Sequence, residues 1–101
     1  MFGLQDNQIK AINNVFAKYD NVEKVLVFGS RSKGTHKPSS DIDLTMLGKD
    51  LTSEDLTAVK QDLNALSLPF ETDLSLFRNI DNELLKEKIL NRNAVLYIKT
   101  K

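Results

Sequence analysis

Two aspartates two positions apart, Asp41 and Asp43, are the residues of this sequence best placed for chemistry. Side chains alternate in direction along a strand, so both carboxylates would share one face while Ile42 and Leu44 share the other. The two aspartates would lie roughly 6.6 Å apart along the strand, which is close enough to chelate metal ions jointly. Because like charges at this distance repel each other, the pair favours binding of a divalent cation.

The turn that precedes these aspartates has features that bind phosphate. An apolar run at residues 25–28 leads into Gly29 and Ser30. Glycine allows a ligand to approach the backbone closely and lets the next amides point at an anion, and the serine hydroxyl adds a hydrogen bond to a phosphate oxygen. Four basic side chains follow in the loop: Arg31, Lys33, His36 and Lys37. We assign no catalytic role to His36, the single histidine. These features predict a site for a metal-bound nucleotide.

At these residues the sequence resembles the minimal nucleotidyltransferases of the DNA polymerase beta superfamily. Their signature is Gly-Ser followed ten residues later by Asp-x-Asp, which is present here as Gly29-Ser30 and Asp41-Ile42-Asp43. A frequent extension, Gly-Ser-Arg-x-x-Gly, is also present at residues 29–34. Each short motif is common by chance, and the specificity comes from their combination at this spacing within apolar runs.

The resemblance also implies a third acidic residue on a later strand, and Asp73 occupies the expected place. Glu71 would point in the same direction as Asp73 along that strand and is the competing candidate. A solvated strand face is the alternative explanation for either side chain. We prefer Asp73 because the family places its third acid directly before a hydrophobic pair of this kind.

The resemblance implies a role for each of these residues. In such enzymes Asp41, Asp43 and Asp73 would be the catalytic residues and would bind two Mg²⁺ ions. The nucleotide, ATP or another nucleoside triphosphate, would be bound by Gly29, Ser30 and Arg31.

Composition limits the class of protein. The 101 residues predict one nucleotidyltransferase domain over residues 1–101, with 14 basic and 14 acidic side chains. This balance argues against direct binding of nucleic acid, which depends on an excess of Lys and Arg. The chain has no cysteine and no apolar run of membrane-spanning length, so we expect a cytoplasmic protein without a disulfide or membrane partner.

The order of elements predicts an α/β or α+β domain with a small mixed β-sheet and helices packed mainly on one face. Thr52 and Asp55 resemble a capping box at the start of the second long helix, and Asp81 resembles the cap of the last helix. We expect a short helical turn at 30–34 and three longer helices at about residues 7–19, 53–67 and 82–92. We expect strands at residues 22–28, 42–47, 71–77 and 94–98.

The resemblance implies a metal-dependent transfer of a nucleoside monophosphate, AMP from ATP, to a hydroxyl group of a partner protein. The chain has no second domain to hold an acceptor, so we expect a hetero-oligomer. In the family, MntA-like antitoxins pair with helical HEPN-type toxins. Two other functions stay open: a non-catalytic antitoxin that neutralises its partner by binding, and a small-molecule transferase that acts on an antibiotic.

Overall fold

The computed structural model describes residues 2–29 and 41–100. Within these residues the predicted long helices and strands are present in the predicted order. The elements are α1 (Asp6–Ala17), β1 (Lys24–Phe28), β2 (Ile42–Leu47), α2 (Ser53–Asn64), β3 (Thr72–Leu76), a short 3-10 helix (Phe77–Asn79), α3 (Glu83–Arg92) and β4 (Val95–Ile98). The helical turn predicted at residues 30–34 lies outside the described residues.

The four strands form one sheet in the order β3-β2-β1-β4. Strand β1 pairs antiparallel with both β2 and β4, whereas β2 pairs parallel with β3. The predicted mixed sheet is therefore confirmed. The parallel pair needs a crossover connection, and α2 provides it between β2 and β3.

One face of the sheet carries the main hydrophobic core. Helices α1 and α2 cover this face with apolar side chains at helical spacing, among them Phe16 and Val59, which have no exposed surface. The strand residues facing them include Val25, Val27 and Leu44, and full burial of each such side chain contributes about 1.5–3 kcal/mol. The prediction that helices pack mainly on one face is confirmed.

Helix α3 packs against the opposite face. Leu26 of β1 and Ile89 of α3 are both buried, at 1% and 3% exposure, but neither belongs to the main core cluster. Lys86 of α3 lies 5.3 Å from the centre of the Phe77 ring, so the helix also contacts the 3-10 segment after β3. Helix α3 therefore crosses the face of the sheet that α1 and α2 leave uncovered.

Capping determines where two of the helices begin. The predicted capping box of α2 is present, because Thr52 Oγ1 accepts from the Asp55 amide and Asp55 Oδ2 accepts from the Thr52 amide. The predicted cap of α3 at Asp81 is wrong by one residue. Asn82 caps the helix instead, since its Oδ1 accepts a hydrogen bond from the Leu85 amide.

None of the helices within residues 2–29 and 41–100 is both long enough and apolar enough to cross a membrane.

Candidate functional site

Two carboxylates meet where β2 and β3 run side by side. Asp43 and Asp73 are direct partners in the parallel register of these strands. Side chains directly opposite each other on neighbouring strands project from the same face. The sheet therefore brings together the second aspartate of the Asp-x-Asp motif and the acidic residue predicted on the later strand.

Asp43 carries an electrostatic cost in this position. Its side chain is half-buried, and burial, followed by the charges of Asp73 and Asp41, raises the pKa of the Asp43 carboxyl. Both neighbouring aspartates are exposed, so Asp43 is the most desolvated member of the group. Partial burial and a raised pKa mean that the fold does not stabilise the charged form of Asp43. These are properties of a carboxylate that is stabilised by a bound cation.

Gly29 ends β1 directly beside Asp43. Its φ angle is 75°, a left-handed conformation that glycine adopts without strain. A Cβ atom at this position would lie only 2.4 Å from Asp43 Oδ2. Glycine is therefore required twice at this site, once for the backbone turn and once for the close approach of the carboxylate.

A buried polar pair lies next to the carboxylates on the same two strands. Thr45 is fully buried, and Ser75 is its direct partner on β3. The Ser75 hydroxyl lies 3.4 Å from both the Leu44 carbonyl oxygen and Thr45 Oγ1. These contacts tie β2 to β3 two residues beyond Asp43 and Asp73, and so help to hold the carboxylates in register.

The donor set suits Mg²⁺, which is commonly bound by one or two protein carboxylates together with substrate phosphates and water. Asp43 and Asp73 provide such a pair, and Asp41 stands two residues before Asp43. Within the described part of the chain, however, there is no group of three acidic, histidine or cysteine side chains that could hold one ion. The residues therefore fit an ion that takes its remaining ligands from the substrate.

A cavity of about 800 Å³ opens beside this site. Gly29 and Asp43 line one side of it, together with Val27 and Phe28. Helix α3 provides the other side, chiefly through four residues: Leu85, Lys88, Ile89 and Arg92. Cavities of this size accommodate ligands as large as a nucleotide.

The remaining predicted site residues have different outcomes. Ser30, Arg31 and His36 lie outside the described residues. Glu71 precedes β3 and is exposed, and its carbonyl oxygen accepts a hydrogen bond from the Ile42 amide at 2.9 Å. Since Asp73 rather than Glu71 is paired with Asp43, the register favours Asp73 as the acid that meets the motif.

Sequence reasoning missed the contribution of α3 to the cavity. Lys88 and Arg92 line it, although neither belongs to the motif that carries the resemblance. A signal was present, because Lys88 lies three residues after Leu85 and Arg92 lies three residues after Ile89, so each cation shares a helix face with an apolar residue. The pattern becomes informative only when the position of that face beside Asp43 is known.

A family model described as polymerase beta nucleotidyltransferase matches residues 10–101. No curated protein sequence matches the chain significantly.

Two solved structures have similar folds. A toxin-antitoxin crystal structure with AMP-PNP is 25% identical, with a TM-score of 0.67 over 96% of this chain and 76% of that chain. The second, a MntA-HpeT toxin-antitoxin complex with two Asp-to-Glu substitutions two positions apart, is 22% identical. Its TM-score is 0.65 over 96% of this chain and 75% of that chain.

Proposed function

Because this chain belongs to the polymerase beta nucleotidyltransferase family, we propose that it transfers AMP from ATP to a hydroxyl group of a partner toxin protein. The observation that carries the proposal is the pairing of Asp43 with Asp73 beside the backbone of Gly29. The similar toxin-antitoxin structure with AMP-PNP supports ATP as the donor and a toxin as the partner. We propose a helical HEPN-type toxin, bound in a hetero-oligomer with this chain.

The bond changes assign a task to each acidic residue. The acceptor oxygen attacks the α-phosphorus of ATP, the bond from that phosphorus to the bridging oxygen breaks, and pyrophosphate leaves. Asp41, Asp43 and Asp73 would hold two Mg²⁺ ions, which would supply positive charge to the attacking and leaving oxygens. Asp73, which is more exposed than Asp43, takes the proton of the acceptor hydroxyl.

The phosphates would be positioned by the turn after β1. The glycine backbone at Gly29 permits their close approach, and the Ser30 hydroxyl donates to a phosphate oxygen. Arg31 neutralises the charge that develops on the departing pyrophosphate. The bound toxin excludes water and holds its hydroxyl in line for attack, and positioning of this kind can contribute roughly 7–11 kcal/mol.

Mass spectrometry of the partner tests the proposal. The chain is purified together with the proposed toxin, sought as the product of the neighbouring reading frame, and incubated with ATP and Mg²⁺, and the intact mass of the toxin is measured. We expect addition of one or more AMP groups, and we expect loss of that addition in Asp43→Asn and in Asp73→Asn. The matched control is Asp50→Asn, which removes the same charge from an exposed residue just after β2.

Other results would identify a different function. If the toxin stays unmodified and Asp43→Asn still silences it fully, the chain is a non-catalytic antitoxin that acts by binding. If the chain transfers AMP to a small hydroxyl compound such as an antibiotic without any protein partner, it is a small-molecule nucleotidyltransferase.

A further inference from the structure

One face of helix α3 combines two apolar and two cationic residues. Lys88, Ile89 and Arg92 follow Leu85 by three, four and seven positions, so the four residues form a single stripe along the helix. All four line the cavity beside Gly29 and Asp43. We call this stripe the α3 wall. A helix face that packs on a sheet is normally apolar throughout, so the two cations need an explanation.

Neither cation is explained by the contacts of the fold. Within residues 2–29 and 41–100, Lys88 and Arg92 form no ion pair with a carboxylate, and both side chains are exposed to the cavity and solvent. Like charges four residues apart on a helix destabilise it. Arg92 lies in the last helical turn and there interacts favourably with the helix dipole, but Lys88, one turn earlier, gains little from that effect. An anion bound between the two cations would remove their repulsion.

The cavity therefore presents two opposite charges and an apolar surface to one ligand. The carboxylate of Asp43 lies on the sheet side together with the apolar Phe28, and the cations lie on the α3 wall together with the apolar Leu85 and Ile89. A metal-bound nucleoside triphosphate complements all three parts. Its metal ion would be held at the carboxylate, its phosphate oxygens would contact the cations, and its base would cover apolar surface. A small inorganic anion would leave the apolar surface uncovered.

We propose that Lys88 and Arg92 of the α3 wall bind phosphate oxygens of the donor nucleotide. The proposal rests on the nucleotidyltransferase function proposed above and adds two substrate-binding residues outside the sequence motif. Arg92 can contact two phosphate oxygens with its planar guanidinium group, whereas Lys88 acts as a single mobile charge. Both act on the substrate directly and need no movement of the sheet.

Binding measurements on the full-length chain test this assignment. Isothermal titration calorimetry with ATP, inorganic triphosphate and adenosine, each in the presence of Mg²⁺, is performed on the wild type and on Lys88→Gln/Arg92→Gln. A hydrogen bond to a charged group contributes enough that its loss weakens binding roughly tenfold or more. We expect the double variant to bind ATP and triphosphate about 100-fold more weakly and adenosine unchanged.

Two further variants separate phosphate binding from charge and folding. Lys10→Gln/Lys60→Gln removes the same charge from exposed residues of α1 and α2, which cover the other face of the sheet. It should bind ATP like the wild type. Lys88→Arg keeps the charge and should retain the affinity for triphosphate. Thermal unfolding followed by circular dichroism should show that both double variants are folded.

The outcomes distinguish this inference from the proposed function. If the wild type binds ATP and the Lys88→Gln/Arg92→Gln variant binds it within twofold, the α3 wall does not bind phosphate, although the proposed function stands. If the variant binds ATP like the wild type but loses its affinity for the toxin, the α3 wall binds an acidic segment of the partner and not phosphate, and the proposed function again stands. If the wild type binds neither ATP nor triphosphate, both proposals fail.

Discussion

Replacing Gly29 with alanine should damage the site far more than the fold. The φ angle of 75° is unfavourable for an L residue by about 1–2 kcal/mol. The new Cβ would lie 2.4 Å from Asp43 Oδ2, so the carboxylate must retreat by about 1 Å to reach ordinary contact at 3.4 Å. A displacement of about 1 Å in a catalytic group can lower the rate about 100-fold. We therefore expect a stability loss of about 1–2 kcal/mol and a loss of AMP transfer of about 100-fold.

Gly3→Ala is the matched control, because Gly3 has a φ of 73° and lies in the turn before α1. It has the same left-handed backbone but belongs neither to the cavity lining nor to the strands that carry the carboxylates. Urea denaturation followed by circular dichroism measures stability, and single-turnover transfer to the toxin measures activity. The reasoning is refuted if Gly29→Ala transfers AMP at the wild-type rate, or if Gly3→Ala loses as much activity.

Three further predictions concern single residues. Asp43→Asn should leave the free energy of unfolding at pH 7 unchanged or slightly higher, because burial and the neighbouring carboxylates raise the pKa of Asp43. A loss of stability above about 2 kcal/mol in urea denaturation would indicate that Asp43 acts as a structural cap instead. Hydrogen bonds from the Asn21 side chain and from Thr52 hold the pKa of Asp55 below its usual value, so its stabilising effect is complete above about pH 4 and falls in more acidic solution. Thermal unfolding from pH 7 to pH 2 should then show a smaller acid-induced loss in Asp55→Ala than in the wild type. Asn93 ends α3 with a φ of 50°, so Asn93→Gly should be tolerated and Asn93→Ala should be less stable by about 1 kcal/mol, as urea denaturation can show.

Local sequence signals were sufficient to predict most elements of the fold. The alternation from Ile42 to Met46 predicts a strand with one buried face, and the Thr52 capping box predicts the start of α2. Asp81 and Asn82 are both residue types that favour the cap position of α3, so the sequence alone does not distinguish them. The choice between adjacent caps depends on the path of the backbone, which composition does not specify.

The site was less predictable than the fold because its parts are distant in sequence. The family resemblance indicates Asp73, but its pairing with Asp43 depends on the register between two parallel strands, which follows from tertiary packing. The sequence does not reveal the α3 wall because α3 also carries the exposed apolar residues Leu84 and Leu90, which interrupt the pattern of a single apolar stripe. Only the three-dimensional position of the helix identifies Lys88 and Arg92 as cavity residues.

The most direct test of nucleotidyl transfer compares two labels on ATP. The chain, its toxin and Mg²⁺ are incubated with ATP carrying radioactive phosphorus at either the α or the γ position, and the proteins are separated by electrophoresis. Attack at the α-phosphorus predicts that only the α label becomes attached to the toxin, and that Asp43→Asn abolishes this labelling. Transfer of the γ label, or equal labelling by the Asp43→Asn protein, would contradict a nucleotidyltransferase whose site is the paired carboxylates of β2 and β3.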